Sequence, residues 1–252
     1  MKIDLKGKVI LVTGATGGIG SASVRLLAQS SATIAIHYHK DRKYAMQLAK
    51  NSGNHSLIFQ ADLSNPKRCV DLIRNVLKTY GQLDVLINNA GIYESSHIDK
   101  SIDRWLKEWY RTMNINLTSV AILCREAVRH FLKSGGGRII NVSSRAAFRG
   151  EDKDHWAYGA AKGGLITLSR TIAKEYGKAN IKCFAVAPGF VKTRMIDHYI
   201  RNFGTKSIID HLALNELTTP KDVAPTILFL ASGLMDHATG CTIDINAGSY
   251  MR

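Results

Sequence analysis

Short apolar runs alternate with longer amphipathic stretches along the whole chain. The runs have the length of buried strands, and the stretches carry apolar residues at helical spacing. Predicted strands cover residues 9–12, 33–38, 57–60, 84–88, 138–142, 181–186 and 242–245, and predicted helices cover 19–30, 43–51, 66–80, 105–133, 158–178 and 223–231. Such alternation builds a parallel sheet, because right-handed crossovers place helices on both of its faces. The pattern predicts an α/β fold: a single doubly wound Rossmann-type domain, residues 1–252, with a parallel sheet of about seven strands.

Composition excludes several other classes of protein. The chain has 252 residues, of which 45% are hydrophobic and 21% charged, so it can bury a large core. Its net charge of +14 suits acidic partners, yet no nucleic-acid-binding motif appears, so we expect no nucleic-acid partner. No apolar run reaches the roughly eighteen residues of a membrane span, so we expect no membrane partner. Four cysteines without a C-x-x-C pair indicate no metal site and a reducing, cytoplasmic location.

A glycine-rich turn joins the first predicted strand to the first predicted helix. From residue 13 it reads Thr-Gly-Ala-Thr-Gly-Gly-Ile-Gly. Glycines let the backbone turn tightly and approach a pyrophosphate, and the helix N-terminus offers unpaired N–H groups to phosphates. A tight strand–helix joint without a ligand is the alternative. We predict nucleotide binding by Gly14, Thr16, Gly17, Gly18, Ile19 and Gly20.

Tyr158 and Lys162 are four residues apart and so share one face of a helix. Reduction of a carbonyl produces an alkoxide that must receive a proton, which a phenol can donate. We expect the neighbouring ammonium to lower the pKa of Tyr158, because it favours the phenolate. Ser144 ends a predicted strand, where its hydroxyl can polarise a carbonyl. The alternatives are an exposed tyrosine–lysine pair and a serine in an ordinary turn.

These motifs resemble those of the short-chain dehydrogenases/reductases, in family order and over nearly the whole chain. The glycine spacing resembles the TGxxxGIG loop of that family rather than GxGxxG. The resemblance implies a nicotinamide dinucleotide and hydride transfer between it and a carbonyl or secondary alcohol. It implies that Tyr158 donates the proton, that Lys162 also binds the nicotinamide ribose, and that Ser144 polarises the carbonyl. The matching residues are Asp62, Asn88 to Gly91, Asn116, Ser144, Tyr158 to Lys162, Pro188, Gly189 and Thr193.

The turn after the second predicted strand bears on which dinucleotide binds. NAD enzymes place an acid there, whereas this turn presents bases before and after its one acid. We therefore expect NADP(H) to be favoured over NAD(H), with the 2′-phosphate bound by His39, Lys40 and Arg42. An ordinary basic surface turn is the alternative, and Gly17 stands where some NADP-using relatives carry a basic residue.

The resemblance assigns roles to other residues. It implies that Asp62 and Leu63 bracket the adenine, although Asp62 could instead cap the helix that begins near Pro66. Asn88 would be structural, and Asn116 would help to hold a relay water. Residues 190–217 would form a mobile substrate lid, with a fixed helical hairpin as the alternative. Further cofactor contacts are assigned to Asn89, Ala90, Gly91, Pro188, Gly189, Val191 and Thr193.

The substrate stays open. Within the family the chain most resembles 3-oxoacyl-[acyl-carrier-protein] reductases, which implies a carrier-linked carbonyl, and the positive charge suits an acidic carrier. Only Lys133, Lys178 and Arg129 stand near the carrier-docking positions of those enzymes. A free small ketone, sugar or alcohol is the alternative, and a non-catalytic dinucleotide sensor is a remote one. The family also implies a homotetramer or a homodimer.

Overall fold

A parallel sheet forms the centre of the molecule. The computed structural model describes residues 3–251, apart from the side chains at positions 198, 202 and 203. Within that part of the chain, seven strands pair in the order β3-β2-β1-β4-β5-β6-β7, and every pair is parallel. The predicted doubly wound sheet is therefore confirmed. The strands are β1 (Val9–Val12), β2 (Thr33–Tyr38), β3 (Leu57–Gln60), β4 (Val85–Asn88), β5 (Gly137–Val142), β6 (Ile181–Pro188) and β7 (Thr242–Ile245).

Helices cover both faces of the sheet. Buried side chains of α1, α2 and α10 pack on one face, and those of α3, α5 and α7 pack on the other. None of the helices within residues 3–251 combines the length and apolar character that a membrane crossing needs. The helices are α1 (Gly18–Gln29), α2 (Arg42–Ser52), α3 (Pro66–Tyr80), α4 (Ile102–Met113), α5 (Ser119–Ser134), α6 (Ala146–Arg149), α7 (Trp156–Tyr176), α8 (Asp197–Phe203), α9 (Lys206–Ile209) and α10 (Pro220–Ser232).

Three local features differ from the sequence-based expectation. The helix predicted over 105–133 begins earlier, at Ile102, and a π-helical turn over Asn114–Thr118 divides it. Strand β6 continues two residues past its predicted end, to Pro188, whose carbonyl accepts a hydrogen bond of 3.0 Å. The short helix α6 was not predicted. Gly204 lies between α8 and α9 with φ +76°, a conformation that favours glycine.

The sheet determines where a ligand can bind. The order of the strands reverses between β1 and β4, which are neighbours in the sheet although β2 and β3 intervene in sequence. In open α/β sheets this switch point leaves a crevice at the carboxyl ends of the strands. The glycine-rich turn follows β1, and Ser144 follows β5, so both lie at that edge.

Candidate active site

The glycine-rich turn is fixed against the neighbouring strands. Gly14 has φ +59°, a left-handed conformation that favours glycine, and a Cβ there would lie 2.8 Å from the Cα of Ala90. The Gly14 N–H donates to Nδ1 of the buried His37 at 3.0 Å, and Nε2 of the same ring lies 3.1 Å from the carbonyl oxygen of Ala61. Burial lowers the pKa of His37 to about 4. The neutral ring therefore joins the turn to the segment after β3.

The amide of Asn89 supports the same turn from the β4 side. Its Nδ2 donates to the carbonyls of Thr13 and Gly14, both at 3.0 Å. The Thr13 hydroxyl accepts the N–H groups of Asn89 and Ala90 at 3.0 and 3.1 Å. A Cβ at Gly20 would lie 2.7 Å from the Asn89 Nδ2, so α1 approaches this network closely. The Asn89 side chain is thus bound to protein carbonyls.

A cavity of about 540 Å³ lies at the N-terminus of α1. No side chain caps this N-terminus at Gly17 and no acid occupies the first turn, so unpaired N–H groups and the positive end of the helix dipole are free for an anion. Lys43 and Arg194 bring positive charge to the cavity, so the residues present fit a phosphate-bearing dinucleotide. Ile19 instead packs against the core. The lining residues are Thr16, Gly17, Gly18, Ser21, Asp41, Lys43, Tyr44, Gln47 and Arg194.

The three bases predicted to select NADP do not line this cavity. The His39 ring is half exposed, and its Nε2 lies 3.9 Å from the Asp62 carboxylate. Lys40 is exposed, and Arg42 is the exposed first residue of α2. The cations that line the cavity come from the first turn of α2 and from the segment after β6. Sequence reasoning assigned a role to neither.

Asp41 adds a carboxylate to the same cavity. It accepts the N–H of Tyr44 at 3.0 Å and so caps the N-terminus of α2. An acid close to the adenosine ribose is the feature that favours NAD. Charges of both signs therefore line the space next to the turn.

Asp62 and Leu63 follow β3, where an adenine was expected. Leu63 is buried, whereas the Asp62 carboxylate is half exposed and accepts the N–H and the hydroxyl of Ser64 at 2.9 and 2.8 Å. These hydrogen bonds hold the pKa of Asp62 below its usual value. Helix α3 is capped by Asn65, whose side chain accepts two N–H groups of the first turn. The alternative that Asp62 caps this helix is wrong.

Asn116 is fully buried in the π-helical turn. Its Oδ1 accepts the N–H of Ile92 and its Nδ2 donates to the carbonyl of Ile92, both at 2.8 Å. A Cβ at Gly91 would lie 3.1 Å from the Asn116 Oδ1 and 3.5 Å from the Lys162 Nζ. Asn116 therefore fixes the segment after β4 next to the Lys162 amine. Single π-helical turns often occur at functional sites.

Ser144, Tyr158 and Lys162 come together where β5 ends and α7 begins. All three are buried, and Lys162 is only 4% exposed. The Lys162 Nζ donates to the carbonyl of Val142 at 2.8 Å and lies 5.6 Å from the centroid of the Tyr158 ring. Ser143 donates its hydroxyl to the Lys162 carbonyl at 2.8 Å. The alternative of an exposed tyrosine–lysine pair is therefore wrong.

Burial dominates the proton affinities of this group. It raises the pKa of Tyr158 to about 12, an effect that the Ser144 side chain opposes and the Glu151 carboxylate reinforces. It lowers the pKa of Lys162 to about 8. The expectation of a lowered tyrosine pKa is wrong for the protein's own groups, because burial disfavours the charged phenolate. The phenol keeps its proton at neutral pH and can donate it.

Tyr93 and residues of the β5–α7 connection pack against Tyr158, and sequence reasoning missed them. The Tyr93 ring meets the Tyr158 ring edge to face at 4.8 Å and stacks on His155 at 3.8 Å. The Tyr93 hydroxyl donates to the Glu151 carboxylate at 3.3 Å. No periodic pattern marks these residues, because they lie in irregular segments that only the folded chain brings together.

The segment after β6 leads back to the glycine-rich turn. The Gly189 N–H donates to a carbonyl of β7 at 3.0 Å. Val191 is buried in the core and forms an isolated parallel bridge with Thr218, which ties together the two ends of residues 190–217. A Cβ at Gly18 would lie 3.1 Å from the Cβ of Thr193, so Thr193 packs against the start of α1.

A family model and curated relatives match nearly the whole chain, and all of them are oxidoreductases by name. A sequence model described as enoyl-(acyl carrier protein) reductase matches residues 14–250. The chain is 33% identical over 249 residues to a 3-oxoacyl-[acyl-carrier-protein] reductase of Rickettsia typhi, with 99% of each chain covered. It is also 33% identical over 247 residues to a 7alpha-hydroxysteroid dehydrogenase of Bacteroides fragilis, which covers 96% of this chain and 94% of the relative.

A solved structure supports the same grouping. It is a short-chain dehydrogenase of Burkholderia cenocepacia in complex with NADP, and it superposes with a TM-score of 0.87 at 28% sequence identity. The match covers 97% of this chain and 98% of the other. The relatives differ in substrate, so similarity alone leaves the substrate of this chain open.

Proposed function

Because the chain belongs to the short-chain dehydrogenase/reductase family and is an NAD(P)-dependent oxidoreductase, we propose that it interconverts a carbonyl and a secondary alcohol with NADP(H). The observation that carries the proposal is the buried convergence of Ser144, Tyr158 and Lys162 beside the segment after β4. A bound nicotinamide would supply the hydride for reduction or accept it in oxidation. The phosphates of the dinucleotide would be held by the glycine-rich turn and by the N-terminus of α1.

The side chains divide the remaining work. The Ser144 hydroxyl donates a hydrogen bond to the substrate oxygen and polarises the carbonyl. The Tyr158 phenol, protonated at neutral pH, gives its proton to the developing alkoxide. The Lys162 ammonium, with its pKa lowered to about 8, lies close enough to stabilise the phenolate that remains. Asn116 holds the segment next to this amine and so positions it.

Preference for NADP(H) over NAD(H) is supported by the excess of bases around the adenosine end of the site. These are His39, Lys40 and Arg42 on the exposed turn, with Lys43 and Arg194 at the cavity. Two variants test the two groups of bases separately. Lys43→Met removes a base that lines the cavity, and Lys40→Met removes one on the exposed turn. The proposal predicts that at least one change lowers the ratio of kcat/KM for NADPH to that for NADH. A wild-type ratio near one would contradict it.

A free carbonyl compound is the first substrate class that we propose, supported by the name of the hydroxysteroid dehydrogenase relative. A 3-oxoacyl group on a carrier protein is the second candidate, supported by the name of the Rickettsia relative and by the net charge of +14. A screen of NADPH oxidation with acetoacetyl thioesters, diketones, quinones and aldoses distinguishes the two. Absence of turnover with every carbonyl would contradict the proposed function.

We also propose a cytoplasmic homodimer or homotetramer in which residues 190–217 act as a mobile lid. Cys69, Cys124 and Cys183 are buried thiols outside any disulfide, which supports a reducing compartment. The edge position of β7 and the half-exposed Trp156 at the start of α7 support pairing of subunits. The bridge between Val191 and Thr218 joins the two ends of residues 190–217, which supports movement of this segment as a unit. Light scattering measures the molar mass of the protein in solution, and the mass of a monomer would contradict the proposed homodimer or homotetramer.

A further inference from the structure

Arg145 directly follows Ser144 and is buried although it carries a guanidinium. Only 6% of the residue is exposed. Its N–H donates to the carbonyl of Pro188 at 3.0 Å, which fixes the backbone against β6. The guanidinium carbon lies 4.4 Å from the centroid of the Phe190 ring. Since Phe190 begins residues 190–217, the cation lies between the end of β5 and that segment.

The Arg145 charge has no anionic partner among the residues that the structure describes. No described side chain or carbonyl accepts a hydrogen bond from the guanidinium, and no described carboxylate forms an ion pair with it. Burial lowers the pKa of Arg145, yet a guanidinium stays charged at neutral pH. A cation at a buried residue is stabilised when an anion reaches its hydrogen-bond donors.

The carboxylate that acts on Arg145 through its charge is that of Glu151, and it already accepts a hydrogen bond from another residue. The Glu151 charge raises the pKa of Arg145, but the Glu151 carboxylate accepts the hydroxyl of Tyr93 at 3.3 Å. The Tyr93 ring lies 4.8 Å from the Tyr158 ring, and Tyr93 also acts on the pKa of Arg145. Tyr93 and Glu151 thus connect the surroundings of Arg145 with those of Tyr158.

We propose that Arg145 binds the carboxylate of a small oxo acid, or of the matching hydroxy acid, while Ser144 and Tyr158 hold its reacting oxygen. This assignment rests on the proposed function and names its substrate class. The planar fork of a guanidinium matches a carboxylate with two parallel hydrogen bonds. Arg145 is buried next to the Phe190 ring, so a compact carboxylate suits this position. A 3-oxoacyl thioester carries no carboxylate beside its ketone, so an anion site here favours a free acid over a carrier-linked chain.

The test pairs charged substrates with neutral ones of the same skeleton. Acetoacetate and levulinate are compared with their methyl esters and with the acetoacetyl thioester of N-acetylcysteamine, in NADPH oxidation. The variants are Arg145→Met, Arg145→Lys, which keeps the charge but loses the fork, and Arg149→Met. Arg149 lies four residues on in the same short segment and is exposed, and its charge lowers the pKa of Arg145, so Arg149→Met removes a nearby cation while the buried one stays.

The wild type should reduce the acids with higher kcat/KM than the esters or the thioester. Arg145→Met should lower kcat/KM for the acids by about 100-fold and leave the ester values unchanged. For the acids, Arg145→Lys should have a kcat/KM between those of the wild type and Arg145→Met. Arg149→Met should keep the preference for the acids over the esters, because Arg145 stays in place. Calorimetric titration with succinate, which has no ketone, should give binding to the wild type that Arg145→Met abolishes.

Three results would overturn the proposal. The first is an equal loss for acids and esters in both Arg145 variants, which would make the residue structural. The second is a preference of the wild type for the thioester, which would indicate a carrier-linked substrate. The third is succinate binding that survives Arg145→Met. Loss of succinate binding in that variant, without turnover of any carbonyl by the wild type, would support the anion site and refute the proposed function.

Discussion

Replacing Gly20 by alanine tests how closely α1 must approach the glycine-rich turn. A Cβ at this position would lie 2.9 Å from the Cα of Ala15 and 2.7 Å from the Asn89 Nδ2, and it would overlap the carbonyl oxygen of Gly14. Carbon atoms in contact normally stay about 3.5 Å or more apart, so backbone must move by roughly half an ångström. The movement separates α1 from the turn that is expected to hold the cofactor phosphates.

Two opposing effects set the change in the free energy of unfolding in Gly20→Ala. Overpacking against backbone costs about 1–3 kcal/mol of the free energy of unfolding, whereas alanine in place of glycine in a helix returns about 0.5–1 kcal/mol. Gly20→Ala should therefore destabilise the protein by about 1 kcal/mol, within a range of about 0–2.5 kcal/mol. Gly163→Ala is the control, because Gly163 lies within α7 and a Cβ there would meet its nearest atom only at 3.8 Å. That variant should be stabilised by about 0.5–1 kcal/mol.

Urea unfolding followed by circular dichroism measures both variants, and fluorescence titration gives their NADPH dissociation constants. Gly20→Ala should bind NADPH about tenfold more weakly, because the turn loses its geometry. Gly163→Ala should bind it as the wild type does. If Gly20→Ala proved as stable as Gly163→Ala, with unchanged NADPH affinity, the close approach of α1 would not matter and the reasoning would be refuted.

Two further predictions concern stability at low pH and the choice of serine. The pKa of His37 is lowered from 6.5 to about 4, so the unfolded chain binds the proton more readily and stability is lost as pH falls through this range, by about 3 kcal/mol. His37→Gln should lose that pH dependence in urea unfolding, and the exposed control His55→Gln should keep it. Ser144→Ala should lower kcat about 100-fold, because it removes the donor to the substrate oxygen. Ser143→Ala should instead cost about 1 kcal/mol of stability with kcat nearly kept, and the reverse pattern would exchange their roles.

Features that depend on local sequence were predicted correctly. The strands that form the sheet appear as short apolar runs, and the glycine-rich turn follows the first of them. The helical spacing of Tyr158 and Lys162 was enough to place both side chains on one face. The family order of motifs led to Ser144, which the structure places beside them.

Features that depend on tertiary packing were not predicted. The raised pKa of Tyr158 follows from burial beneath other elements, which residue spacing does not reveal. Asp62 and Asn65 are both good helix-capping residues, so only the geometry identifies Asn65 as the cap of α3. Arg194 reaches the cofactor cavity from a distant segment. Arg145 stands out only because its burial and its missing partner are visible in the folded chain.

Tyr158→Phe removes one buried hydroxyl and keeps the ring, so its turnover measures what the proposed proton donor contributes. We expect NADPH-dependent kcat to fall by at least about 100-fold while the NADPH dissociation constant and the melting temperature stay unchanged. Tyr176→Phe, on the same helix α7 but partly exposed at its other end, should retain full activity. Substantial turnover by Tyr158→Phe with the best substrate of the wild type would contradict the account.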